Sequence, residues 1–257
     1  MSINVNSNVI SSTGFNSSGD ILNSPNVITD GLVLWLDVGN NASYMNSTSY
    51  YDCGYGCQYY ASDPGCTNCN TQIKDMSGFG NDGTLNNIIP SYSNIGGTLI
   101  YSATNMGVTL PNSASLTNLK TSQGGNGYTV LVFAKTNSVG GWRKLIGNGD
   151  GDNYIDIWQN PTGYYYSEGG ETLYVDGVNV SQGAYYMVDT GWHQWGATNL
   201  NSGTLTNPSQ SLSIGKELTT TTYTWTGEIS IAQIYHRVLS TTEMLQNFNA
   251  NRQRFGI

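Results

Sequence analysis

The chain has 257 residues, a formal net charge of −8 and only 10% charged residues, well under the usual quarter of a soluble protein. Asn, Ser, Thr, Gly and eighteen tyrosines dominate instead. An acidic chain with no basic stripe lacks the electrostatic footprint of a protein that binds nucleic acid or anionic lipid, and no apolar run reaches membrane-spanning length. The length suits one large all-β unit.

Residues 1–26 are expected to form an extended arm outside the folded unit. A disordered terminus is the default for such a segment, yet this one is more apolar than a free linker needs. We favour an arm that becomes ordered on a partner protein, through its thinly spaced apolar residues Val5, Val9, Ile10, Phe15, Ile21 and Leu22. The first residues also lack the basic region and hydrophobic core of a signal peptide, so no export by the general route is expected.

Short strands separated by Gly, Asn and Asp turns follow from Val27 onward, at intervals typical of β-sandwiches. The pattern predicts strands near 31–37, 98–102, 106–110, 127–135, 143–147, 153–158, 163–167, 172–175, 192–198, 211–214 and 227–236. Asp176-Gly177 signals a hairpin turn. In the last strand Ile229 and Ile231 alternate with polar residues, as in a half-buried strand, and Ile234 shifts the phase, as at a bulge.

Residues 39–74 form a long insertion that contains all four cysteines: Cys53, Cys57, Cys66 and Cys69. Two close pairs can converge on one tetrahedral site, and four thiolates suit zinc. Two disulfides are the competing interpretation, and free buried thiols the third. We rank zinc slightly ahead, and the role is structural in each case because four sulfur ligands leave no open coordination position.

The sequence shows no catalytic set. Glu168 and Glu171 are three residues apart, and residues so spaced do not share a face of a strand. His193 and His236 accompany no serine or cysteine nucleophile motif. The acidic turn at 149–153 could bind calcium through oxygen ligands, but an Asx-rich hairpin turn explains it better. We therefore predict a protein that is not an enzyme.

The tyrosine-rich stretches are the best argument for sugar binding. The predicted glycan contacts combine stacking faces with short oxygen-bearing side chains: Tyr164, Tyr165, Tyr166, Asp150, Asp152 and Asn153. The alternative is that adjacent tyrosines in a strand place one ring in the core and one on the surface. Residue by residue, that structural explanation ranks first.

The chain closes with a predicted helix over 240–255. Ser240-Thr-Thr-Glu243 is a capping box, and Gly256 is a plausible stop. Arg252 and Arg254 lie near the helix end, where cations favour the dipole. One face is expected to clasp a sheet through Met244, Leu245, Phe248 and Phe255.

The closing strand and helix resemble those of laminin-G-like, concanavalin-like jelly rolls. Asp75-Met-Ser-Gly-Phe-Gly-Asn-Asp-Gly-Thr-Leu85 looks like the signature of that family. Further segments are similar in the expected order: 29–37, 128–135, 173–178, 191–195 and 211–215. The resemblance covers 27–257 and implies an all-β, antiparallel β-sandwich jelly roll with a short C-terminal helix and an extended N-terminal arm. It is specific for fold and not for chemistry.

Two functions fit this sequence. The first, which we favour, is a structural protein of a tailed bacteriophage, a head or tail decoration subunit held to capsid or tail proteins by its arm. Secreted and virion-exposed β-proteins often have such a polar, weakly charged composition. A virion protein is made in the host cytoplasm and exposed on the particle surface, which reconciles this composition with the missing signal peptide. The second is a glycan-binding adhesin module that attaches to host surface glycans. No nucleic acid or membrane partner is expected.

Overall fold

The computed structural model describes residues 26–40, 42–43, 50–52, 58–60, 72–88, 90–93, 96–117, 119, 127–136, 138–148, 155–167, 170–200, 211–218 and 223–257. The predicted arm contacts and the four cysteines lie outside these ranges, as do Asp150, Asp152, Asn153 and Glu168.

The described residues contain seventeen strands and two helices. The strands are β1 Leu32–Asp37, β2 Tyr50–Asp52, β3 Gln58–Tyr60, β4 Gln72–Ile73, β5 Gly83–Asn86, β6 Pro90–Ser93, β7 Gly96–Tyr101, β8 Gly107–Thr109, β9 Tyr128–Lys135, β10 Arg143–Gly147, β11 Asp156–Gln159, β12 Tyr165–Tyr166, β13 Thr172–Val175, β14 Val178–Val180, β15 His193–Asn199, β16 Ser213–Ile214 and β17 Gly227–Tyr235. The helices are α1 Ala114–Thr117 and α2 Thr241–Phe255. No helix among the described residues is long and apolar enough to span a membrane.

Two antiparallel sheets form the sandwich. The eight-stranded sheet has the order β14-β13-β15-β9-β17-β7-β6, with β1 also paired to β17, and the seven-stranded sheet has the order β12-β11-β10-β16-β8-β5-β4. Strands of both sheets contribute to one buried apolar cluster, for example Val132 and Trp195 from the first and Leu145 and Ile157 from the second. The predicted all-β, antiparallel sandwich with a C-terminal helix is confirmed.

Helix α2 covers the other face of the eight-stranded sheet. Ser240 and Glu243 form the predicted capping box, and Gly256 ends the helix in the left-handed region. Phe255 stacks on Phe133 of β9 with ring centroids 5.0 Å apart. Leu245 was expected on the buried face but is 44% exposed. The buried face of α2 instead includes the polar residues Asn247 and Asn251. Asn247 donates to the Tyr235 hydroxyl at 3.0 Å and accepts from the amide of Ile28 at 2.8 Å.

Strand β17 differs from its prediction because both of its faces are covered. It is buried from Ile229 to Tyr235 instead of half-buried. The register of β17 against β1 shifts at Ile234, where an irregularity was expected. A second shift, against β9, lies between Ile229 and Ile231. The extra residue turns these two side chains to opposite faces, so that Ile229 joins the core between the sheets and Ile231 the cluster under α2.

Arg254 also does more than cap the helix dipole. Its Nη1 atom lies 2.5 Å from Oδ1 of Asp37, a carboxylate whose side chain is 2% exposed. Its Nη2 atom donates to Ser230 at 2.6 Å. The last turn of α2 is therefore tied to β1 and β17 by a buried ionic contact that helix spacing alone does not reveal.

The Asp75–Leu85 signature has a structural role in this fold. The Asp75 carboxylate accepts from the amides of Trp35, Ser77 and Asn81 at 2.9, 2.9 and 3.0 Å. The Asn81 amide group then donates to the carbonyl of Val33 at 2.7 Å. These bonds fix the loop between β4 and β5 to β1, and they leave Phe79 at the loop tip 55% exposed.

Candidate functional site

The outer face of the seven-stranded sheet carries the side chains that point away from the core between the sheets. Strand alternation places Tyr165 inward, where it is 0% exposed and donates to the carbonyl of Gly196 at 2.6 Å. Tyr164 and Tyr166 consequently point outward. The three predicted glycan contacts on this strand thus divide, as in the structural explanation: Tyr165 cannot stack on a ligand because its ring is buried.

Four aromatic side chains converge around β10–β12, and we call them the aromatic cluster: Trp142, Trp158, Tyr166 and Tyr223. Trp158 lies opposite Tyr166 across β11 and β12. The Trp142 ring is 5.2 Å from Tyr166 and 6.1 Å from Trp158, and Tyr223 lies 5.5 Å from Trp158. Trp158 is 3% exposed, whereas the other three rings are partly exposed. The cluster offers several ring edges and faces to a ligand around one buried anchor.

A buried ionic group lies next to this cluster. Lys144 of β10 contacts Asp156 at 2.9 Å and also Glu217, and the three side chains are 0%, 0% and 1% exposed. Its Nζ atom lies 4.2 Å from the centroid of the Trp158 ring. Glycine at 147, opposite Asp156, makes room for this carboxylate, because a Cβ there would overlap it. The group thus places a buried ammonium between two carboxylates and the Trp158 ring.

Arg143 forms hydrogen bonds to the segments before Trp142 and after Tyr223. Its Nη2 atom donates to the Ser138 hydroxyl and the Gly140 carbonyl, both at 3.1 Å. Its Nη1 atom donates to the Thr226 hydroxyl. Partial burial lowers the pKa of Arg143. The guanidinium is thus occupied by neutral oxygens of the protein itself.

His193, at the start of β15, lies between two carboxylates. Its Nδ1 atom is 2.6 Å from Asp176 and its Nε2 atom 2.7 Å from Asp189. Burial lowers the pKa of His193, but the hydrogen bonds and charges of the two aspartates outweigh burial, so the pKa is raised. Protonation allows both ring nitrogens to donate, one to each carboxylate, and this is the physical cause of the raised pKa. This group links the β13–β14 hairpin turn to the 189–191 loop.

Glu171, which the sequence excluded from a catalytic pair, is a buried acceptor. It lies 2.5 Å from the Tyr128 hydroxyl, which donates to it, and Ser167 also donates to it. Burial, followed by the charge of Glu171, raises the pKa of Tyr128. Among the described residues, Glu171 accepts the hydrogen bonds of two buried hydroxyl groups, those of Tyr128 and Ser167.

The structure does not test the metal predictions. The residues proposed for zinc or disulfides, Cys53, Cys57, Cys66 and Cys69, lie outside the described ranges. Within those ranges, no group of three or more His, Cys, Asp or Glu side chains could hold a metal ion. Zinc at the cysteines therefore stays a prediction, and so does the lower rank given to calcium.

Trp142, Trp158 and Tyr223 were not among the site residues predicted from the sequence. A signal was available for two of them: in Trp142-Arg-Lys144 and Asp156-Ile-Trp158 a tryptophan and a charged residue are two apart. That spacing places both on one face of a strand. The convergence of the two strands with Tyr223 depends on the pairing of β10 with β11 and could not be read from spacing.

In sequence, the chain matches no protein-family model and no curated protein. In structure, it is similar to Trypanosoma rangeli sialidase in complex with sialic acid, with a TM-score of 0.52 and 13% identity over 94% of this chain and 36% of that one. The same sialidase with a difluorosialic acid as covalent intermediate gives a TM-score of 0.51 and 12% identity over 96% of this chain and 36% of that one. The chain thus spans about one third of the sialidase chains. At this identity the likeness shows the fold alone.

The matches bear on two predictions, that the chain is not an enzyme and that it belongs to a virion. The prediction that the chain is not an enzyme is contradicted, because structures of sialidase enzymes share its fold. No catalytic residue is transferred from them. The matches give no support for a role in a virion, and the predicted partners and location there stay predictions.

Proposed function

We propose that this chain is a carbohydrate-binding module that holds a glycan against the aromatic cluster. The observation that carries the proposal is the grouping of three partly exposed rings, Trp142, Tyr166 and Tyr223, around the buried Trp158. That the fold also occurs in proteins solved with sialic acid and its derivatives supports carbohydrate as the ligand class.

The cluster has the physical properties that sugar binding requires. Aromatic faces present flat apolar area to the C–H face of a pyranose ring and lose little conformational entropy when they do so. The rings are held before ligand arrives, because Arg143 ties the turn before Trp142 to the segment after Tyr223. Preorganisation of this kind reduces the entropy cost of binding.

Tyr166 and Tyr164, and not Tyr165, are the tyrosines of this strand that can contact a glycan. The predicted partners Asp150, Asp152 and Asn153 follow β10 and precede β11 in sequence, but they lie outside the described residues. Their part in the site stays a prediction.

The test is a glycan array with the purified chain, followed by calorimetric titration of the strongest hits. Trp142→Ala and Tyr166→Ala should each weaken binding about tenfold, which corresponds to about 1.4 kcal/mol. Phe79→Ala is the matched control, since it removes an exposed ring from the loop beside β4, at the opposite edge of the same sheet. Circular dichroism should show that all three variants remain folded.

Two results would refute this function. One is an array without a reproducible hit. The other is a hit whose affinity is the same in wild type, Trp142→Ala and Tyr166→Ala, because the glycan would then be bound elsewhere.

A further inference from the structure

The seven-stranded sheet continues past its edge strand β12. The Tyr165 amide donates to the carbonyl of Tyr185 at 2.9 Å, and the Met187 amide donates to the carbonyl of Gly163 at 2.8 Å. Tyr164 and Tyr186 form an antiparallel bridge. Residues 185–187 therefore add a short edge segment to the sheet, next to the aromatic cluster.

Side-chain alternation turns this added segment into an extension of the cluster. Tyr165 and Tyr185 both point inward, with rings 5.2 and 5.7 Å from Trp195. Tyr164 and Tyr186 therefore point outward, on the face that carries Tyr166. Their rings are 5.3 Å apart.

These outward rings are accessible and have an apolar neighbour. Tyr164 is 36% exposed, Tyr186 43% and Val139 50%. A Cβ added at Gly163 would lie 2.7 Å from the Tyr186 ring and 3.0 Å from a Val139 methyl group, so both side chains flank that glycine. Exposed apolar side chains that form a contiguous group mark interaction sites more often than scattered ones do.

The aromatic surface is consequently longer than one sugar ring. It runs from Trp142 before β10, across β11 and β12, to Tyr186 on the added segment. Neighbouring strands are about 4.8 Å apart, so three spacings give a track of roughly 14 Å.

The charges beside the track favour a neutral ligand. Lys144 is balanced by Asp156 and Glu217. Arg143 donates to neutral oxygens of its own loops. The Nη atoms of Arg143 are therefore already bonded to protein oxygens, although its charge is not cancelled, and two carboxylates face the single ammonium of Lys144. An acidic sugar would also approach a chain whose net charge is −8.

We propose that Tyr164, Tyr186 and Val139 form a second subsite, so that the ligand is an internal stretch of a neutral polysaccharide and not a single terminal sugar. This inference rests on the proposed function, since it extends the same site. Both subsites act on one ligand molecule, so affinity rises with chain length until the track is filled.

The experiment is calorimetric titration with three β-1,4-linked series, of glucose, N-acetylglucosamine and mannose, each from the monosaccharide to the hexasaccharide. Affinity for at least one series should rise at least tenfold with length. Tyr186→Ala should weaken the hexasaccharide about fivefold and leave the shortest bound sugar unchanged, whereas Trp142→Ala should weaken both. Tyr186→Phe, which keeps the ring, should retain hexasaccharide binding. Oligogalacturonate of matched length should bind more weakly than the neutral chain.

The outcomes separate the two proposals. Equal affinity for short and long chains, or a Tyr186→Ala variant that binds the hexasaccharide as wild type does, would overturn the second subsite while Trp142→Ala still supports the first. Tighter binding of oligogalacturonate would overturn the assignment of a neutral ligand. Failure of all three neutral series, at every length, would overturn the second subsite, and an empty glycan array would refute the proposed function as well.

Discussion

Replacing Lys144 with methionine should destabilise the fold severely, because it leaves two carboxylates buried without their cation. Lys144, Asp156 and Glu217 are 0%, 0% and 1% exposed, and the Lys144–Asp156 contact is 2.9 Å. At an effective dielectric constant of about 20, that contact is an attraction of about 6 kcal/mol. Desolvation offsets part of it, and removal of one partner from a buried pair costs about 3 to 5 kcal/mol.

The assay is urea denaturation followed by tryptophan fluorescence. With a slope of about 3 kcal/mol per molar urea, the midpoint should fall by about 1 to 1.7 M. Lys74→Met is the matched control: it removes a lysine that is 60% exposed and paired with Asp82, and exposed pairs contribute about 0 to 1 kcal/mol.

A second variant isolates the charge from the packing. Lys144→Met combined with Asp156→Asn and Glu217→Gln keeps similar volumes and removes all three charges of this group, and should recover much of the lost stability. If Lys144→Met costs no more than Lys74→Met, the ionic group does not hold this face of the sheet together and the reasoning is wrong.

Three further predictions concern other parts of the molecule. The pKa of His193 is raised in the folded state. Its contribution to stability is therefore fully present below the ordinary pKa of about 6.5 and is lost as the pH rises through the raised pKa. The difference in melting temperature between wild type and His193→Gln should shrink from about pH 5.5 to about pH 8.5, and a constant difference would contradict this. Tyr165→Ala should cost about 3 to 5 kcal/mol of stability because the ring is buried, whereas Tyr165→Phe should bind glycan as wild type does; loss of binding in the folded Phe variant would show a ligand contact. Metal analysis should find about one zinc per chain, with zinc–sulfur distances of about 2.3 Å. Sulfur atoms paired at about 2.05 Å would establish disulfides instead. In either case Cys57→Ser should make residues 50–72 easier to cleave by protease and leave the core intact.

Local sequence signals predicted the elements that depend on neighbouring residues. The capping box at Ser240 and Glu243 and the stop at Gly256 are confirmed because a helix end is built from residues within one turn. The Asp176-Gly177 hairpin is confirmed for the same reason: both residues have positive φ, 53° and 78°, as a two-residue turn requires.

Contacts between side chains of different strands depend on strand pairing, which local sequence signals do not predict. Alternation predicted that adjacent tyrosines divide between core and surface, but which of Tyr164, Tyr165 and Tyr166 turns inward depends on Trp195, thirty residues away in β15. The aromatic cluster required β10 to pair with β11 and β11 with β12. Leu245 was placed on the wrong face of α2 because Tyr235 and Ile28, the partners that bury Asn247, are distant in sequence. Strand β17 was expected to be half-buried because its own pattern does not show that α2 covers its second face. Periodicity and caps were sufficient to predict the fold class and the helix. Which side chains meet was visible only in the folded chain, because contacts across strands depend on register and not on spacing along the chain.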